Sequence, residues 1–124
     1  MKPYAMTQPQ REALFDLLTL SLYADGHISL TEEALIESAF VAEGWQSDYP
    51  KNLFLEKSFA RARKVADTDE KGRLAYLTER AAFFTDAGSQ AEALGVVTNL
   101  LARDGLTPEE NRFLAALQRA LPKV

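Results

Sequence analysis

A chain of 124 residues that is 47% hydrophobic and 26% charged suits one domain, able to bury about two-thirds of the surface its unfolded form exposes, and is too apolar to stay disordered. It has no cysteine, which excludes a disulfide framework, a thiolate metal site and a cysteine nucleophile. A net charge of −4 argues against broad nucleic-acid binding, although the charge is uneven: residues 1 to 46 sum to −5, 47 to 80 to +2 and 81 to 124 to −1.

Apolar residues recur at intervals of three and four throughout, and no alternating β-branched run competes with them, so the chain is predicted to be all-α and a single domain over 1–124. The first helix is predicted over about Pro9 to Tyr23, opened by Thr7 with Gln10 three residues on, with Leu14, Leu17, Leu18, Ser21 and Leu22 facing the core. Asp25-Gly26 ends it. Ser29 and Glu32 have the S-x-x-E spacing of a capping box, and the helix they open carries Leu35, Ile36, Ala39 and Phe40 and stops near Gly44. A third helix is expected from about Pro50 to Ala66, capped by Ser47 or Asp48, with Leu53, Phe54, Phe59, Ala62 and Val65 as its apolar residues.

The fourth is read from Lys71 to Thr85, with Leu74, Leu77, Ala81 and Phe84 apolar and Gly88 as terminator. Ser89 and Glu92 suggest a second capping box for a fifth helix whose stripe is Leu94, Val97, Leu100 and Leu101. The sixth follows Thr107, with Pro108 first, Glu110 completing the box and Phe113, Leu114, Leu117 and Leu121 turned inward. This makes a compact bundle of about six helices.

The first and last hairpins match when aligned on their caps, Ser29 with Thr107 and Glu32 with Glu110; each runs helix, Asp-Gly, cap, helix. Leu14, Leu17, Leu18, Ser21 and Leu22 correspond to Ala93, Val96, Val97, Leu100 and Leu101, and Leu35, Ile36 and Ala39 to Phe113, Leu114 and Leu117. The N- and C-terminal hairpins are therefore expected to be pseudo-two-fold related.

Leu22-Tyr23-Ala24-Asp25-Gly26-His27-Ile28-Ser29-Leu30-Thr31-Glu32 resembles the pattern of the TerB-like (tellurite-resistance) family, an A-D-G turn with an acid seven positions after the aspartate. Ala102-Arg103-Asp104-Gly105-Leu106-Thr107-Pro108-Glu109-Glu110 resembles the family's closing repeat, with Asn111 at the seventh position and the acid at Glu110. The resemblance covers nearly the whole chain and extends to the TerB-like domain of a DnaJ-like membrane co-chaperone. It implies a helical bundle with internal two-fold symmetry and no known catalytic activity. It also implies a divalent cation, Ca²⁺ or Mg²⁺, held by Asp25, Glu32, Asp104 and Glu110 where the hairpins meet; the bland alternative is that the Asp-Gly pairs are tight corners.

Residues 25 to 32 also fit positions five to twelve of an EF-hand loop, but Ser21 and Tyr23 stand where that loop needs carboxylates. His27, the single histidine, reads as a solvent-facing loop residue, and no hydrolase motif, P-loop or dinucleotide fingerprint occurs. Lys57, Arg61 and Lys64, with Arg63 nearby, form a basic stripe on one helix, read as a solvated face. Trp45, Tyr49 and Phe54 are read as a plug for the bundle end.

Three functions fit these residues. The first is a non-enzymatic, cytoplasmic interaction module of a bacterial stress response, with an unidentified protein partner. Neither nucleic acid nor a membrane span is expected, and peripheral membrane association stays open. The second is a metal-dependent hydrolase or its accessory subunit using the acidic cluster. The third is a ligand-free structural or oligomeric bundle.

Overall fold

The computed structural model describes residues 6–22, 34, 36–38, 44–45, 47–102 and 107–122. Their regular elements are α1 (Gln8–Leu22), α2 (Lys51–Ala66), α3 (Glu70–Ala81), α4 (Ala87–Leu101) and α5 (Pro108–Ala120), with further helical residues at Ala34 and 36–38. No strand occurs among the described residues, and no helix there is long and apolar enough to cross a membrane.

Helix α1 is the axis of the bundle: α2, α3 and α4 all pack against it, and α5 covers α3 and α4. The predicted stripe of Leu14, Leu17, Leu18, Ser21 and Leu22 is buried, but so are Phe15, Asp16, Thr19 and Leu20, so every residue from Ala13 to Leu22 is enclosed. The run Leu14-Phe15-Asp16-Leu17-Leu18-Thr19-Leu20 spreads large apolar side chains around the whole helix, and a helix apolar on all sides belongs inside. Its hydroxyls satisfy themselves on the preceding turn: Thr19 Oγ1 donates to the Asp16 carbonyl at 3.0 Å and Ser21 Oγ to that of Leu18 at 2.7 Å.

The helix starts divide into those read correctly and those displaced. At α1 the Thr7 N–H donates to Gln10 Oε1 (3.1 Å) and the Gln10 N–H to Thr7 Oγ1 (3.2 Å). At α5 the Thr107 and Glu110 pair does the same at 2.9 and 3.1 Å, with Pro108 in the first turn. By contrast α2 is capped by Pro50 with no side-chain bond, and Ser47 accepts from the Tyr49 N–H in the turn before it. For α4 the cap is Asp86, which accepts from the Ser89 N–H (3.1 Å) and Ser89 Oγ (2.8 Å). Ser89 thus lies inside the helix, and Gly88 is its second residue and not a terminator of the preceding one. Asp86 stands three residues upstream of Ser89 and, as an ionised acceptor, is the better partner for the helix's first N–H groups.

Helix α3 starts at Glu70, capped by Asp69 on the Gly72 N–H at 2.8 Å, and ends at Ala81, short of the expected Thr85. A tightened turn, Phe83 N–H to Arg80 and Phe84 N–H to Ala81, then swings Phe84 into the core. Two leucines expected inside stand out: Leu53 is 43% and Leu74 48% exposed. Gly44, the expected stop of the second helix, has φ +89°, the left-handed conformation suited to glycine. Gly26 and Gly105 lie outside the described residues. Trp45 does act as a plug, its ring 6.2 Å from Phe15 and 5.2 Å from Phe54, with Nε1 donating to the Tyr49 carbonyl at 2.8 Å. Tyr49 itself is exposed.

Candidate functional site

Of the four acids expected to meet a cation, Asp25, Glu32 and Asp104 lie outside the described residues, as does His27. Glu110 is placed at the start of α5, where one carboxylate oxygen accepts from the Thr107 N–H. Its other oxygen has no partner among the described residues.

Among the described residues, one polar cluster was not revealed by periodicity. Asp16, on α1, is 1% exposed and draws donors from two other helices. Its Oδ1 accepts from Ser58 Oγ (2.7 Å) and Arg61 Nη2 (2.7 Å) on α2, and its Oδ2 from Arg80 Nη1 (3.2 Å) on α3. With the Ser58 hydrogen committed to the carboxylate, the one Thr19 hydroxyl hydrogen is shared between Ser58 Oγ, 2.8 Å away, and the Asp16 carbonyl at 3.0 Å. The guanidiniums are held in turn by aromatic rings, Arg61 over Phe54 at 5.6 Å and Arg80 over Tyr76 and Phe83 at 5.8 and 5.2 Å. Arg80 Nη2 also pairs with Glu79. Two cations and two carboxylates sum to zero, and Asp16 has no open side, so the cluster joins three helices.

Arg61 therefore leaves the predicted basic stripe and turns inward, while Arg63 and Lys64 stay exposed and Lys57 stands 5.3 Å over the Tyr49 ring. Burial works against the Arg61 charge, yet the bond and charge of Asp16 outweigh it and hold the guanidinium more firmly protonated than usual. A signal for the cluster was present: Asp16 and Thr19 are polar residues three apart in an otherwise leucine-rich run, and Ser58 and Arg61 repeat that spacing.

An open surface feature lies elsewhere among the described residues. Between α3 and α5 runs a groove of about 700 Å³, with Leu20, Leu77 and Ala116 among its apolar lining and Leu74 and Phe113 on its two sides. Arg73, Arg112 and Arg119 edge it together with Glu70 and Glu109. Comparison with protein-family models, curated proteins and solved structures finds no match.

Tyr76 lies beside the ion cluster, its hydroxyl enclosed and without a hydrogen-bond partner among the described residues. Burial, and then the charge of Asp16, raise its pKa above the ordinary 10.0, against the opposing pull of Arg61 and Arg80. The folded protein thus keeps a proton that the unfolded chain begins to lose near pH 10, so this contribution is complete below about pH 10 and is lost as pH rises further. Tyr76→Phe is expected to be neutral, or stabilising by up to about 1 kcal/mol, at pH 7 and to flatten the alkaline loss. Urea melts from neutral to alkaline pH check this; equal alkaline slopes for the two proteins would show that Tyr76 ionises unhindered.

Proposed function

We propose that the chain is a non-enzymatic TerB-like interaction module of a bacterial stress response of the tellurite-resistance type, working in the cytoplasm through a protein partner. Its two end hairpins, in this reading, are related by an approximate two-fold axis, and Asp25, Glu32, Asp104 and Glu110 hold a Ca²⁺ or Mg²⁺ ion where they meet. What carries the reading is the packing of α1 against α4, the two helices that the repeat pairs. Three of their five matched positions are buried on both sides: Leu14 with Ala93, Leu18 with Val97 and Leu22 with Leu101. The capping box of the closing hairpin, Thr107 with Glu110, is formed, and a carboxylate oxygen such as that of Glu110 is of the hard type these cations take.

A ligand that binds only the folded state stabilises it by mass action. Millimolar Ca²⁺ or Mg²⁺ is therefore expected to raise the melting temperature, with Na⁺ at equal ionic strength as the control. A melt indifferent to both divalent ions would leave the acids as caps and corner residues and remove the support for the TerB-like reading.

A further inference from the structure

The groove between α3 and α5 has two walls with one pattern. Glu70, Arg73, Leu74 and Leu77 on α3 have the spacing of Glu109, Arg112, Phe113 and Ala116 on α5: acid, arginine, large apolar residue, smaller or deeper apolar residue, at i, i+3, i+4 and i+7. At 1.5 Å per residue the walls run about 10 Å along α3 and, counting on to Arg119, about 15 Å along α5. That is the length of two to three helical turns, the footprint of a helix anchored by its own i, i+3, i+4 and i+7 residues.

The charges at the edges fix what kind of helix fits. Both acids have work within the chain: Glu70 and Glu109 lie in the first turns of their helices, where a negative charge complements the helix dipole, and Glu109 is also 3.6 Å from Arg112. Arg119 has no ion-pair partner among the described residues, and Arg73 donates only to the Ala66 and Thr68 carbonyls, which leaves its charge unneutralised. The edge thus carries a net positive charge, from three arginines against two glutamates, on a chain whose sum is −4. All three cations are arginine and none is lysine, and the guanidinium fork matches carboxylates in a bidentate way. A second copy would set this net-positive edge against itself, and a flat bilayer cannot fill a concave groove.

We propose that the groove binds one amphipathic helix of a partner protein, apolar on its inner face and acidic along its edges. The proposal rests on the interaction-module reading above and names its partner class. The test uses two synthetic peptides of about 18 residues, both helix-favouring with leucine at i, i+3, i+4 and i+7, one with glutamate and the other with lysine at the flanking positions. Titrated into the isotope-labelled protein, the glutamate peptide is expected to bind at least about tenfold more tightly at low salt, to lose that advantage at high salt, and to shift the amides of α3 and α5. Leu74→Glu should abolish binding while folding normally, since Leu74 is 48% exposed, and Arg112→Glu with Arg119→Glu should reverse the preference between the peptides.

Equal binding of the two peptides, shifts away from α3 and α5, or binding that survives Leu74→Glu would overturn the proposal. So would a wild-type dimer dispersed by Leu74→Glu, which would give the groove to a second copy, or binding to phosphatidylglycerol vesicles lost in the same variant. The cation response of the melt is independent of all these outcomes, so its failure and the failure of the groove can be told apart.

Discussion

Replacing both Arg61 and Arg80 by methionine is expected to lower the unfolding free energy by about 3–5 kcal/mol, because it leaves the Asp16 carboxylate, 1% exposed, without a counter-charge. Arg61→Met alone should cost less than Arg80→Met alone. The Arg61 side chain is 42% exposed against 22% for Arg80, and the more exposed partner's attraction is better screened by water. Adding Asp16→Leu to the double variant should recover most of the loss, since an apolar side chain suits that position on α1 and Ser58 can still bond Thr19. Urea denaturation of the four variants beside the wild type tests this. A double variant that melts with the wild type would mean that the carboxylate does not need the arginines. A triple variant with no recovery would assign the cost to the lost packing of the arginine stems.

Phe15→Ala should be the most damaging single truncation in the core, at about 3–5 kcal/mol, because Phe15 is fully buried on the central helix and its removal opens a cavity beneath Trp45. Trp45 is only half-buried and bridges Phe15 to Phe54, so it cannot collapse into the space without leaving Phe54. Leu53→Ala, one position from Phe54 on α2 but 43% exposed, should change stability by no more than about 0.5 kcal/mol. Comparable losses at Leu53 and Phe15 would place α2 with a different face toward α1.

These two variants also mark what the amino-acid sequence disclosed. The stripe on α1 was legible as a helix face because Leu14, Leu17, Leu18, Ser21 and Leu22 recur at helical spacing. That the opposite face is buried as well depends on how many helices surround α1, which a pattern of three and four does not encode. The same limit hid the Asp16 cluster: periodicity scores apolar residues, whereas Asp16 is enclosed only because α2 and α3 bring Ser58, Arg61 and Arg80 to it. Leu53 and Leu74 fit the apolar spacing of their helices but stand 43% and 48% exposed, because spacing alone does not say where a neighbouring helix ends its cover. Caps were read correctly where one candidate stood alone, as at Thr7 and Thr107, and misplaced where Asp86 and Ser89 competed three residues apart. The groove was invisible, since its walls belong to helices that sequence order separates by α4.

Whether both end hairpins contribute to one cation site is measured by calorimetric titration of Ca²⁺ and of Mg²⁺ into the wild type, Asp25→Asn and Asp104→Asn. Saturable binding of one ion per chain is expected in the wild type, and its loss, or a drop in affinity of at least about tenfold, in both variants, because each removes a proposed ligand from a different hairpin. No heat of binding in the wild type, or undiminished binding in either variant, would contradict a shared site.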